Sequence, residues 1–77
     1  MVGVMSLKIT MQILRINSGL TAAQVAHELG VSESTVRNWD KGRTEPLLKL
    51  GQVQTLARLY QCSLEDLIAA VGNTMQG

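Results

Sequence analysis

Only Gly30 and Val31 stand between the end of one helix-patterned segment and Ser32, a side chain suited to cap the start of the next. The segment before them opens on Thr21 and Gln24. That is the spacing of a capping box, in which each side chain satisfies a backbone N–H that the helix leaves unpaired. Leu20 and Val25 flank the box at the spacing of a hydrophobic staple, and Val31 and Val36 repeat it one helix later. The pattern predicts a helix over Ala22–Leu29, stopped by Gly30 in the left-handed conformation, then a helix from Glu33 to Lys41, ended by Gly42. Two helices joined by so tight a turn must cross steeply.

The flanking sequence supplies the remaining helices. From Ser6, the apolar positions Leu7, Met11 and Leu14 recur at helical spacing, and Asn17-Ser18-Gly19 closes that segment. The stretch Arg43 to Leu50 holds the sole proline, Pro46, and reads as a loop made unusually apolar by Leu47, Leu48 and Leu50. A fourth helix is expected over Gln52 to Tyr60, burying Val53, Leu56, Ala57 and Tyr60. Ser63 is placed to cap a fifth, with Asp66 in the box position and Cys62 and Leu67 spaced as a staple. Gly72 is expected to end it. Strand-like alternation is nearly absent and there is no internal repeat. The expectation is an all-α, compact five-helix domain over residues 6–72, with a flexible N-terminus at 1–5 and a disordered tail at 73–77.

Composition narrows the function classes. At 45 % hydrophobic residues, with no Phe and with Trp39 and Tyr60 as its aromatic residues, the chain suits an aliphatic core and not disorder. The lone cysteine, Cys62, has no partner in the chain for a disulfide. No apolar run approaches the roughly 18 residues of a membrane span, and Met1 to Met5 is too short and uncharged for a signal peptide. A cytoplasmic protein without membrane association is expected. One His, one Cys and scattered acids offer no nucleophile–base pair and no metal cluster. Neither enzyme activity nor a metal or cofactor is expected. The net charge of +1 does not by itself point to nucleic acid. Arg37, Lys41, Arg43 and Lys49 share a short stretch with Glu33, Asp40 and Glu45.

The tight helix pair is more specific. Small Ala26 lies where the two helices would meet, Gly30 supplies the positive φ of the turn, and β-branched Val36 falls on the inner face of the second helix. With apolar Val25, Leu29, Val31 and Trp39, these offsets are the pattern of a DNA-binding helix-turn-helix. The runs Leu14-Arg15, Gly19-Leu20-Thr21, Val25-Ala26, Leu29-Gly30-Val31-Ser32, Val36 and Trp39-Asp40-Lys41-Gly42-Arg43 carry a family resemblance. Together with the later run from Leu56 to Leu67, they make the chain resemble the Cro/phage-repressor (lambda-repressor-like) family over nearly its whole length.

The resemblance implies that the third helix enters the major groove of double-stranded DNA. Ser32, Glu33, Ser34, Arg37 and Asn38 would then face base edges, with Arg37 suited to guanine, Asn38 to adenine and Glu33 to cytosine N4. Thr21, with the first N–H groups of the second helix, would hold a phosphate, as would Lys41, Arg43 and Thr44. It also implies a structural Arg15–Asp40 salt bridge, which takes Arg15 out of DNA contact. Trp39 is expected in the core, His27 at the surface, and Cys62 as a small buried hydrophobe. The chain departs from the family pattern at Ala22, where the family usually has a phosphate-contacting Gln, and in a loop after the third helix about two residues longer than usual. A transcriptional regulator of bacterial or phage type is implied, acting as a homodimer on a palindromic site, with apolar Leu64, Leu67, Ile68 and Val71 of the fifth helix to spare. Two alternatives stand beside it. One is a protein-interaction module that has lost DNA binding; the other is an antitoxin that binds DNA and a partner toxin.

Overall fold

The computed structural model describes residues 8–76, which form five α-helices and no strand: α1 Met11–Asn17, α2 Ala22–Leu29, α3 Glu33–Asp40, α4 Leu50–Leu59 and α5 Leu64–Gln76. The all-α expectation holds. Each helix turns one apolar stripe inward, and Met11, Val25, Val36 and Leu56 meet at the centre with almost no exposure. Leu29, Trp39, Tyr60, Leu67 and Ala70 close the core around them. The most extensive packing is α2 against α3, with α4 covering α2 and α5 covering α1, α3 and α4.

The signals around the central turn act as read from the sequence. Thr21 Oγ1 accepts from Gln24 N at 3.1 Å while Gln24 Oε1 accepts from Thr21 N at 2.8 Å. Gly30 adopts φ +72, and the Val31 N–H then donates to the Ala26 carbonyl at 3.0 Å. This left-handed residue turns the chain so that Ser32 can cap α3, accepting from Thr35 N at 3.1 Å. Ser63 likewise caps α5, accepting from Asp66 N at 3.0 Å.

The other helix ends differ from expectation, each for a tertiary reason. α1 starts at Met11; Ser6 and Leu7, at the head of the expected segment, lie outside the described residues together with the N-terminus at 1–5. Residues Lys8–Thr10 are not helical, and Thr10 is the cap, accepting from Ile13 N at 3.2 Å. The approach to α1 is held by α5 instead. Asn73 Nδ2 donates to the Ile9 carbonyl at 2.9 Å, and Met11 N donates to Thr74 Oγ1 at 2.9 Å.

α3 ends at Asp40, one residue earlier than expected, with Lys41 as its C-cap. α4 begins at Leu50, two residues before the expected Gln52, and ends at Leu59 with Tyr60 as its C-cap. Its start is set by Gln52, whose Oε1 accepts from Lys49 N at 2.9 Å while its Nε2 donates to the Leu29 carbonyl at 3.0 Å. One side chain thus caps α4 and ties it to the end of α2.

The largest correction is at the C-terminus. Gly72 does not stop α5, and residues 73–76 are helix, not a disordered tail; Gly77 lies outside the described residues. A glycine inside a helix costs only about 1 kcal/mol. Continuing past it buries Thr74, whose hydroxyl both accepts from Met11 N and donates to the Ala70 carbonyl at 2.7 Å. The gain in packing and hydrogen bonding outweighs the local penalty.

Candidate nucleic-acid interface

α3 is amphipathic in the sense a reading helix requires. Val36 and Trp39 anchor it, 0 % and 3 % exposed, so its opposite face is held rigidly outward. On that face Ser34, Arg37 and Lys41, the last at the C-cap, follow one another at three- and four-residue spacing and are all exposed. Glu33 and Asn38 flank this row and are half-buried. Of the expected base-facing residues, Ser32, Ser34 and Arg37 are exposed and Glu33 and Asn38 are half-buried.

Several of them are engaged with one another. Glu33 and Arg37 form an i,i+4 ion pair, so neither stands as an isolated charge on the surface. The Ser32 hydroxyl closes the cap and lies 2.7 Å from Thr35 Oγ1 and 3.1 Å from Ser34 Oγ. Thr21 Oγ1 is likewise held as a cap acceptor, which leaves the first backbone N–H groups of α2 as the anion-facing donors at that end.

Beyond α3 the chain doubles back. Gly42 takes φ +69, and the Arg43 N–H donates to the Asn38 carbonyl at 2.9 Å, which places Arg43 beside the end of the helix. Arg43 and Thr44 are exposed there, next to Lys41. The glycine is required twice over. A Cβ at Gly42 would sit 2.5 Å from the Thr74 carbonyl oxygen, so α5 presses directly on the turn that follows α3.

Arg15 lies beside this surface but is committed to partners within the fold. Its Nε donates to Asp40 Oδ2 at 2.8 Å, with side-chain exposures of 15 % and 5 %, and its Nη1 donates to the Leu20 carbonyl at 2.8 Å. The salt bridge implied by the resemblance is present. A shallow cleft of about 320 Å³ beside it is lined by Gln12, Arg15, Arg37, Asp40 and Lys41. Asp40 compensates Arg15, and the cleft brings Arg37 and Lys41 together as its outer cations. Gln12, at its edge on α1, and Gln52 were not singled out from the sequence. Gln12 carried no local signal, whereas Gln52 had the three-residue capping offset from Lys49.

The remaining candidates fall where their surroundings dictate. Trp39 is core, His27 is exposed on α2, and Cys62 is half-buried. Burial, with the nearby Asp66 carboxylate, pushes the Cys62 thiol up, which disfavours the reactive thiolate. Tyr60 is buried, and its hydroxyl and Asp40 Oδ1 have no hydrogen-bond partner among the described residues. Among the described residues no three His, Cys, Asp or Glu side chains group as a metal site, and no helix is long and apolar enough to cross a membrane.

A family model described as a helix-turn-helix domain matches residues 9–71, from just before the α1 cap into α5. No curated protein and no solved structure matches the chain. The matched span takes in α1 to α4 and most of α5, including the capped α2–turn–α3 unit and its outward row of side chains. On that span and that geometry, consistent with the Cro/repressor type, the chain belongs to the helix-turn-helix domain family.

Proposed function

We propose that this protein is a small transcriptional regulator that binds a specific double-stranded DNA site with α3 in the major groove. The observation that carries the reading is the outward row Ser34, Arg37 and Lys41 on a helix fixed from behind by Val36 and Trp39. A rigid mount lets a few side chains meet base edges in register. In this reading Arg37 contacts guanine and Asn38 adenine, each good bidentate contact giving about 1–3 kcal/mol of discrimination. Ser32, Glu33 and Ser34 border the same base edges. Lys41, Arg43, Thr44 and the start of α2 at Thr21 hold phosphates and set orientation. Ala22 supplies no phosphate contact at α2, so affinity depends more heavily on the cations after α3.

A lone domain makes few base contacts, which favours a homodimer on a palindromic site with half-sites about 34 Å apart. The protein acts by binding, without catalysis or cofactor, in the cytoplasm where its DNA is found.

The test is titration of random-sequence duplex DNA at low and moderate salt, with selection of bound oligonucleotides for wild type and Arg37→Ala. Salt-sensitive binding and a palindrome that Arg37→Ala blurs at defined positions support the reading. Absence of binding even at low salt would overturn it. It would favour the protein-interaction reading, to which Leu47 and Leu50 at 87 % and 88 % exposure lend support.

A further inference from the structure

We infer that Gln12 of α1 is a further DNA contact, its side-chain amide donating to a backbone phosphate in the cleft between α1 and α3. The inference rests on the proposed function and extends its contact surface from the helix-turn-helix unit onto α1.

α1 is set firmly against its neighbours on both sides of Gln12. Met11, the residue before it, is buried, and the Met11 N–H is held by Thr74 Oγ1 at 2.9 Å. Arg15, three residues after it, donates to Asp40 at the end of α3 at 2.8 Å. Residues three apart share a helix face, so Gln12 stands on the face that α1 turns towards α3. Gln12 itself is exposed. Its backbone is fixed while its amide reaches solvent.

The cleft of about 320 Å³ is lined by Gln12 and Arg15 from α1 and by Arg37, Asp40 and Lys41 from the end of α3. Its chemistry suits an anion. Arg15 and Asp40, with side chains 15 % and 5 % exposed, satisfy each other at its inner side. The outer side is left with an amide, a guanidinium and an ammonium, all of them donors. Arg37 has Glu33 as its partner, whereas Lys41 is in no ion pair among the described residues.

A DNA phosphate is the anion that this position selects. Arg37 and Lys41 belong both to the cleft and to the outward row of α3. The major groove is about 12 Å wide, and an α-helix with its side chains is about 10–12 Å across. A helix lying in the groove fills it, so an element packed alongside meets phosphates at the groove edge and not bases. α1 packs alongside α3 in this way. Gln12 and Lys41 then hold the phosphate, and Arg37 stands between it and the base edges. The contact adds an anchor to a chain whose α2 begins with Ala22, which has no side-chain donor.

The test is a fluorescence-anisotropy titration of the full chain with random-sequence duplex over a range of salt. The variants are Gln12→Ala, Gln12→Glu, Gln12→Lys and Gln54→Lys. Both positions are exposed, and circular dichroism checks that helix content is unchanged. Gln54, on α4, does not line the cleft, so Gln54→Lys makes the same charge change elsewhere. Gln12→Ala is expected to weaken binding roughly 3-fold, and Gln12→Glu on the order of 10-fold by setting a like charge against the phosphate. Gln12→Lys should tighten binding at low salt. It should also steepen the fall of log affinity with log salt by about 0.9, the increment for one more neutralised phosphate. Gln54→Lys should leave that slope unchanged. Oligonucleotides selected by Gln12→Ala should match those selected by wild type, because phosphate contacts carry no sequence information. Wild-type binding that no Gln12 variant alters, or equal steepening by Gln12→Lys and Gln54→Lys, overturns the inference and leaves the proposed function standing. A wild type that binds no DNA even at low salt overturns both.

Discussion

Arg15 Nε donates to Asp40 Oδ2 at 2.8 Å, and the same guanidinium donates to the Leu20 carbonyl at 2.8 Å. One side chain of α1 therefore fixes the end of α3 and the approach to α2 together, so α3 is braced close beside its exposed row. Removing either partner strands the other in a poorly solvated place. Arg15→Met and Asp40→Ala are each expected to cost about 2–4 kcal/mol, near the range for breaking a buried pair. Urea unfolding monitored by Trp39 fluorescence measures this. Losses below about 0.5 kcal/mol would mean that the pair behaves as a solvated surface contact. Arg15→Met should also leave the salt dependence of DNA binding unchanged.

Gly30 and Gly42 have nearly the same backbone, φ +72 and φ +69, but different neighbours. A Cβ at Gly30 meets nothing within 4 Å, whereas one at Gly42 meets the Thr74 carbonyl oxygen at 2.5 Å. Gly30→Ala is expected to lose about 1–2 kcal/mol from the left-handed conformation alone. Gly42→Ala should lose about 1–3 kcal/mol beyond that, because α5 must shift. Thermal unfolding of the two variants side by side decides it. Equal losses would show that the α5 contact yields without cost.

Glu33 pairs with Arg37 on the exposed face of α3 and places a negative charge where phosphates would approach. Glu33→Gln is expected to tighten binding to random-sequence duplex roughly 3- to 10-fold at low salt. Stability should change by no more than about 1 kcal/mol, since a surface pair and a first-turn acid each contribute little. Weaker binding in a fluorescence-anisotropy titration would instead identify Glu33 as a base contact, or as the group that holds Arg37 in its reading pose.

Burial pushes the Tyr60 hydroxyl well above its ordinary value of 10.0, and the charge of Asp40 adds to the shift. The unfolded tyrosine ionises near pH 10 while the folded one resists. The resulting contribution to stability is complete below pH 10 and declines as pH rises above it. Tyr60 is the sole tyrosine, so phenolate absorbance reports on it alone. Its appearance on alkaline titration should coincide with loss of helical circular dichroism. Phenolate formation in an intact helical protein would show that the hydroxyl is open to solvent.

Local sequence determined the central unit of this protein. Thr21 with Gln24, Gly30, Ser32 with Thr35, and Ser63 with Asp66 act within a few residues of one another, so their hydrogen bonds could be read directly from spacing. The same holds for the outward placement of Ser34 and Arg37, which follows from helical period once Val36 and Trp39 face the core. The family resemblance added the Arg15–Asp40 pair, which spacing alone would not have joined. Tertiary structure decided the rest. α1 starts at Met11 and α5 continues through Gly72 because Asn73 and Thr74 bond the segment entering α1, more than sixty residues away in sequence. Gln52 starts α4 early and at the same time holds the end of α2. The exposure of Leu47 and Leu50 likewise depends on which surfaces the other helices leave uncovered. A cap is chosen by its near neighbours, whereas a helix end held by another helix is chosen only when the whole chain has packed.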